Sequence, residues 1–326
     1  MPDMRAALYD RYGPPDVLYE GAIPVPTPGP DQLLVRVVAA TVNGGELIVR
    51  AGRLPRWFLR SPFPRQLGLD FVGDVVHVGD SASGGYAVGD RVWGVLDEKP
   101  DDSGQSLRSM AEFVAVHPWQ ISRAPEGLAP EQAVTMLVGG LTALVALRRE
   151  ADLRTGETLL VRGAGGGVGS MVVQMGKAFG ADVTTLAGAS SRDHLARIGA
   201  DHRYDYRTTD PRTIGRFDVV VDAVGTDLHT YRALLGPRGR MVALRFDTDH
   251  IARSVIGIGA SAVHGRRRIR FFRAAPDPLL LAELARRAED GTIGPIVDTV
   301  YPLSRIGEAH RHLERGGVQG KIVITI

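Results

Sequence analysis

The 326-residue sequence has no cysteine, which excludes disulfides, a thiol nucleophile and every thiolate metal site. Lysine is almost missing too, at Lys99, Lys177 and Lys321 only, so arginine supplies nearly all the positive charge. The net charge of +2, with a sequence pI near 9.0, does not point to nucleic acid or an anionic membrane. The opening MPDMRAALYDRYGPP has charges and prolines where a secretory signal needs an apolar run. No stretch reads as reaching the roughly 20 apolar residues of a membrane span, and a cytoplasmic protein is the expectation. What is present is ordinary for a globular chain, 44% hydrophobic and 23% charged. At this length two cores of about 100 to 200 residues are expected.

The first part reads as short strands broken by turns, at Met4 to Tyr9, Gln32 to Ala40 and Phe71 to Val78, with Pro-Gly punctuation from Pro24 to Pro30. From Pro130 the character changes: PEQAVTMLVGGLTALVALRRE puts proline and glutamate in a first helical turn and follows them with an apolar run. A boundary is expected near Gly127. Beyond it strands alternate with helices: Glu157 to Arg162, helix Gly167 to Phe179, Asp182 to Ala187, helix Ser190 to Ile198, Phe217 to Asp222, helix Asp227 to Leu235, and Gly239 to Leu244. This alternation predicts an α/β doubly wound parallel sheet of the Rossmann type over 128–275. The tail holds helix Pro278 to Glu289, a serine-capped helix Ser304 to Glu314 and a last strand Gly320 to Ile326, expected to pack back on the first, irregular β-rich domain.

The strand TLLVR runs into Gly163-Ala164-Gly165-Gly166-Gly167-Val168-Gly169 and then into a helix, with Ala164, Gly166 and Gly169 at the A-x-G-x-x-G positions. A pyrophosphate binds well where glycines bring free backbone N–H groups and a helix dipole close to it. The next strand ends Thr185-Leu-Ala-Gly-Ala-Ser190-Ser191-Arg192. An NAD site needs an acid there for the ribose hydroxyls. Hydroxyls and a guanidinium suit a 2′-phosphate instead, so NADPH is the preferred cofactor. Ser190 as a plain helix cap and Arg192 as a solvated first-turn residue is the alternative.

Further motifs extend along nearly the whole chain: MRAALYDRYGPPDVL, VNGGELIVRAG from Val42, GLDFVGDVVHVG from Gly68, VGDRVWG from Val88, LTALVAL from Leu141, DVVVDAVG from Asp218 and GKIVI near the end. In their order and spacing the chain resembles the medium-chain dehydrogenase/reductase superfamily, in its zinc-independent quinone oxidoreductase branch, which includes zeta-crystallin. The resemblance implies a GroES-like catalytic domain from 1–127 plus 276–326, an NADPH-binding domain at 128–275, and an active site in the cleft against it. It implies Thr142 near the nicotinamide, Arg192 on the 2′-phosphate with Tyr206 in the same pocket, Val224 and Gly225 along the ribose, and Lys321 as the lysine of the terminal G-K pair. With Ala164 to Val168, Ser190 and Ser191 these make the expected cofactor set. Arg245 departs from the pattern, standing where the family commonly has glycine. A homodimer through an edge strand of the nucleotide domain is also implied.

Zinc-dependent relatives ligate the metal with a cysteine in the segment matching VNGGE and with the histidine of a G-H-E motif. Here those places read Asn43 and Gly68-Leu69-Asp70, and the loop 96–109 has none of the structural-lobe cysteines. Zinc needs three or four converging N, S or carboxylate ligands, so no metal is expected. His310 and His312, two apart on a predicted helix, point to different faces and are expected at the surface. Without a metal to stabilise an alkoxide, the fitting hydride acceptors are quinones and α,β-unsaturated carbonyls, whose charge delocalises.

Asn43 is the candidate catalytic residue, donating to the developing oxyanion; equally, it fixes the turn before Gly44-Gly45. Arg50 and Asp70 are expected to pair and stiffen the site. No tyrosine stands in the matching first-domain segment as a proton donor. Trp57, Phe58 and Phe63 suggest an apolar substrate or core packing. The run Arg266-Arg267-Arg268-Ile-Arg270 is expected on a solvated strand face, not on nucleic acid. A reductase for quinones or enones is the main reading. A biosynthetic enoyl reductase of a polyketide-like pathway and a non-catalytic NADPH-binding protein are the rivals.

Overall fold

The computed structural model describes residues 2–54, 62–82, 84–96, 108–247, 250 and 257–326. It divides into two compact units, Met1–Val138 with Ala275–Asp290 and Pro295–Ile326, and Gly139–Ala274 with Gly291–Gly294. Trp57 and Phe58 lie outside the described residues.

The first unit opens with β1 (Asp3–Tyr9), β2 (Leu18–Pro24) and β3 (Leu33–Thr41), a short helix α1 (Gly44–Arg50), then β4 (Arg65–Gln66), β5 (Asp70–Val78), β6 (Arg91–Val95), β7 (Phe113–Val116) and β8 (Ile121–Arg123). Alternate residues of β3 and β5 point inward, and Leu33, Val35, Val37, Phe71 and Val75 build one core with Val92, Val114 and Ile121. Next come α2 (Pro130–Ala133) and α3 (Leu137–Leu144), with a tighter turn between them and a wider one after.

The apolar run Pro130–Glu150 is, among the described residues, the one helical stretch long and apolar enough to cross a bilayer, which the sequence reading did not register. In the fold 72% of its most apolar window is buried. The units part within it, between Val138 and Gly139, and not at Gly127. The physical reason is that α2 and the turn after it pack on β3 and β5 of the first unit, so the helix begins in one core and ends in the other.

The second unit runs β9 (Thr158–Arg162), α4 (Gly167–Ala178), β10 (Asp182–Ala187), α5 (Arg192–Arg197), β11 (His202–Asp205), β12 (Phe217–Asp222), α6 (Leu228–Arg232), β13 (Leu235–Ala243) and β14 (Ile269–Phe271). Its sheet order is β11-β10-β9-β12-β13-β14, every pair parallel. The order reverses between β9 and β12, the switch point at which such sheets take ligands. The arginine run falls on a tight helical turn, Ala262–Arg267, and only its end enters β14.

The chain then returns to the first unit with α7 (Pro278–Glu289), β15 (Val297–Pro302), α8 (Ile306–Arg315) and β16 (Lys321–Thr325). The larger sheet reads β15-β16-β3-β5-β6-β8, with β7 also on β3, and β2-β1-β4 forms a second, three-stranded sheet. Asp277 caps α7, its carboxylate accepting from the N–H groups of Leu279 and Leu280. No serine caps α8: Ser304 lies in the turn before it, and Arg305 is the cap residue.

His310 corrects the surface expectation, because it is wholly buried on α8, with no hydrogen-bond partner at either ring nitrogen among the described residues. Burial, helped by Arg50, pulls its pKa down to about 3. His312 is half-buried, 3.2 Å from the Tyr301 hydroxyl.

Candidate active site and nucleotide-binding turn

β9 ends at Gly163, whose φ of +75° starts the turn. Two further glycines are set by close approach. A Cβ on Gly169 would stand 2.2 Å from the Gly163 carbonyl oxygen and 2.7 Å from Ala164 Cα, so the first turn of α4 sits directly under the loop. A Cβ on Gly165 would meet Ser191 Oγ at 2.4 Å, which places that serine over the turn. The cap of α4 is Gly166, with no side-chain cap, and the backbone N–H groups of Gly167 and Val168 open the helix. α3 packs close by: a Cβ on Gly139 would lie 2.8 Å from the Gly167 carbonyl oxygen, and Thr142 is half-buried on the same helix.

The turn is also braced from behind. Ser170 Oγ donates to the Ala164 carbonyl at 3.0 Å and lies 3.1 Å from His194 Nε2 on α5. With the hydroxyl hydrogen used on Ala164, Nε2 is the donor to Ser170. Burial and nearby Arg197 lower the His194 pKa and favour this neutral ring.

At the end of β12 the wholly buried Asp222 accepts the N–H of Val224 at 2.9 Å and of Gly225 at 2.7 Å, while its other oxygen pairs with Arg162 at 2.8 Å. Arg162 also bonds Thr226 and lies 4.0 Å over the Tyr231 ring. This holds Val224 beside the turn, its Cγ2 3.0 Å from where a Gly163 Cβ would be. Gly225, at φ +91°, packs on the backbone of Arg245 and Phe246 with no room for a Cβ. Sequence reading named Val224 and Gly225 as candidates but did not name Asp222 and Arg162 as the residues that hold them in place. The signal was there in D-A-V-G, an acid followed by residues whose N–H groups it can collect.

The end of β10 carries the other expected residues. Ser191 is buried, Ser190 and Arg192 are exposed, and α5 begins at Arg192. Tyr206, 52% exposed, stands across Gly188 from them. One residue there was not foreseen: the guanidinium of Arg207 lies 4.7 Å over the Tyr206 ring.

The catalytic candidate sits in the first unit. Asn43 caps α1 and is buried among Thr41, Glu46, Asp70 and Lys321. Its Nδ2 donates to the Thr41 carbonyl at 3.1 Å and reaches Asp70 at 3.4 Å; its Oδ1 accepts from the Lys321 ammonium. Glu46 accepts the N–H of Asn43 at 2.9 Å and of Gly68 at 2.7 Å, so one carboxylate ties the two motif segments together. Asp70 takes the Thr41 N–H at 3.0 Å and its hydroxyl at 2.6 Å.

Burial raises the Asp70 pKa, pushes Glu46 up to about 7, and lowers Lys321 against the pull of both acids. Of the two roles open to Asn43, this geometry favours the turn-fixing one, since its best-formed bonds point inward. Lys321, expected among the cofactor residues, has its ammonium in this buried cluster, bonded to Asn43 and to Val42 O. Arg50 does not pair with Asp70; it bonds Gly13 O at 3.2 Å and Glu314.

Comparison with known proteins completes the picture. The alcohol dehydrogenase GroES-like domain family matches residues 29–126 and the zinc-binding dehydrogenase family residues 198–324. The 2-methylene-furan-3-one reductase of Solanum lycopersicum is 31% identical over 99% of this chain and 79% of its own length. The chloroplastic NADPH-dependent alkenal/one oxidoreductase of Arabidopsis thaliana has the same identity and coverage. Among solved structures, the quinone oxidoreductase of Coxiella burnetii superposes with a TM-score of 0.89 at 28% identity, covering 100% of both chains.

The chain belongs to the medium-chain dehydrogenase/reductase superfamily. Within it the quinone oxidoreductase branch is the one that matches. The word zinc in the second family's description does not carry over to these residues. This medium-chain reductase has Asn43 and Leu69 at the catalytic-zinc positions, and no group of three or more His, Asp or Glu suited to a metal occurs among its described residues.

Proposed function

We propose that this chain is an NADPH-dependent reductase that transfers hydride to a quinone or an α,β-unsaturated carbonyl. The observation that carries the nucleotide half is the fit of the glycine turn to a pyrophosphate. Gly169 leaves no space for a Cβ against the backbone, Gly163 has a positive φ, Gly165 lies against Ser191, and the uncapped start of α4 offers backbone donors to an anion. Preference for the 2′-phosphorylated form is supported by the end of β10, where Ser190 and Arg192 stand in place of an acid.

NADPH, when bound, supplies a hydride from its nicotinamide ring. This chain's residues hold and orient: the turn fixes the pyrophosphate, Val224 and Gly225 line the ribose, and Thr142 flanks the nicotinamide. The Glu46–Asn43–Asp70–Lys321 cluster keeps the Thr41–Gly45 turn rigid, and proximity and orientation are the main contribution open to a site without a Lewis acid. An acceptor taking hydride and a proton ends as a hydroquinone or a saturated carbonyl. The names of the two plant relatives and of the bacterial structure support these acceptor classes.

A cytoplasmic homodimer also belongs to this proposal, β14 standing at one end of the sheet. No role on nucleic acid or membrane is part of it. The test is a panel of quinones, enones and enoyl thioesters followed by NADPH absorbance. Turnover with quinones or enones is expected. Turnover confined to enoyl thioesters would replace the proposal with a biosynthetic enoyl reductase, and oxidation by none of the three would replace it with a binding protein.

A further inference from the structure

Around Gly188, the residue that follows β10, three side chains converge. From the position of a Cβ built there, Arg207 Nη1 is 3.1 Å away, Tyr206 Cε1 3.7 Å and Ser190 Oγ 3.9 Å. The Arg207 guanidinium lies over the Tyr206 ring, 4.7 Å from its centroid. Its backbone N–H is tied to Asp205 Oδ1 at 3.0 Å, in a turn closed by the Thr208 and Thr209 N–H groups on the Asp205 carbonyl. The position is thus fixed twice, by the turn through the main chain and by the aromatic face through the side chain.

A guanidinium stacked on a ring keeps its edge N–H donors free of the ring, and an edge of parallel donors matches a phosphate. Ser190 Oγ and the exposed Arg192 belong to the same strand end. We infer that Arg207 is a specificity-determining residue for the nucleotide, its edge binding the 2′-phosphate, and that Tyr206 acts through Arg207 by holding its plane. This rests on the NADPH reading and deepens it. It assigns Tyr206 the task of orienting a cation rather than being the recognition group.

Two readouts test it on the full-length protein: Michaelis constants for NADPH and NADH, and direct binding of 2′,5′-ADP and 5′-ADP by calorimetry. Arg207→Ala is expected to raise the NADPH Michaelis constant and to weaken 2′,5′-ADP about tenfold or more, with NADH and 5′-ADP changed less than about twofold. Arg207→Lys restores part of the loss, because the charge returns without the planar edge. Tyr206→Leu weakens 2′,5′-ADP but adds nothing in the Arg207→Ala background. Arg192→Ala serves as the comparator at the start of α5.

If wild type prefers 2′,5′-ADP and Arg207→Ala leaves that preference intact, the role of Arg207 is overturned while the NADPH reading stands. Equal additional losses from Tyr206→Leu with and without Arg207 overturn the coupling. A wild type that binds 5′-ADP as tightly as 2′,5′-ADP overturns both readings.

Discussion

His310 and Glu46 show what burial does to single ionisable groups, and their effects on stability have opposite signs. His310 is neutral in the fold, with a pKa of about 3 against an ordinary 6.5, so unfolding takes up a proton between those values. Its contribution is full above pH 6.5 and falls with pH by up to roughly 1.4 kcal/mol per unit. Glu46 has the reverse sense. Raised to about 7 from 4.5, it releases a proton on unfolding in that window, and stability falls as pH rises through it. Burial moves Asp70 in the same direction as Glu46. Between about pH 4.5 and 6.5 His310 and Glu46 act in opposite directions on stability. His310→Leu removes one side of the balance without breaking any hydrogen bond of the ring found among the described residues. Urea unfolding is expected to show the midpoint at pH 5, relative to that at pH 7, higher in that variant than in wild type; an unchanged difference would show that the buried imidazole is not linked to folding. The burial of His310 was not legible from spacing alone. Two residues apart on a helix says that two side chains diverge, but not which of them faces the core.

At the scale of elements, the strand–turn–helix β9–α4 and the strands β10 and β12 were readable because β-branched runs end at glycine or at an acid, and all their local signals agree. β11, with the sequence His-Arg-Tyr-Asp, is polar on both faces and is a strand only because β10 offers it a parallel edge. The start of β13 was hidden by Gly236 and Pro237, and the register shift between Phe217 and Val219 absorbs them. α1 begins with two glycines, poor helix formers, and is nucleated by Asn43 and Glu46. In the site, the glycine turn and the strand end were legible from residue types. Arg162 was not, because its partners Asp222 and Thr226 are distant in sequence; Asp222 and Arg207 act on near neighbours, and residue type alone did not single them out.

The two close-packed glycines of the turn separate in their consequences. Gly169→Ala drives a Cβ into backbone at 2.2 Å, which neither neighbour can yield, and little folded second unit is expected on purification. Gly165→Ala meets the Ser191 side chain alone, Oγ at 2.4 Å, which can rotate away, and Cβ at 3.1 Å, which must shift by a few tenths of an ångström. That variant is expected to melt within a few degrees of wild type by circular dichroism while nucleotide binding drops several-fold in calorimetry. A Gly165→Ala protein with full nucleotide affinity would remove this turn from the cofactor site.

The whole molecule is divided unevenly along the chain: the first unit is assembled from three stretches and the second is nearly continuous. Composition and alternation made the two-core organisation readable. The exact parting was not, since the apolar run Pro130–Glu150 serves both cores and carries no punctuation at Val138. β16 lies between β15 and β3, inside the larger sheet, and contributes Ile322, Val323 and Ile324 to the core. A variant ending at Gly320 therefore loses an interior strand and Lys321 together. Limited proteolysis followed by mass spectrometry is expected to leave a resistant fragment close to 139–274 while the N-terminal region is digested. Equal resistance of both regions would show that the last strand is dispensable.

The place of β16 also sets an order of events during synthesis. Residues in β3 leave the ribosome well before those in β16 and wait for them before that side of the sheet is completed, whereas β9 to β14 follow one another in the chain and find their partners within the second unit. The nascent first unit thus exposes the Ala39–Thr41 end of β3, beyond its pairing with β7, while the second unit is being made, a period in which holding chaperones have an edge to cover.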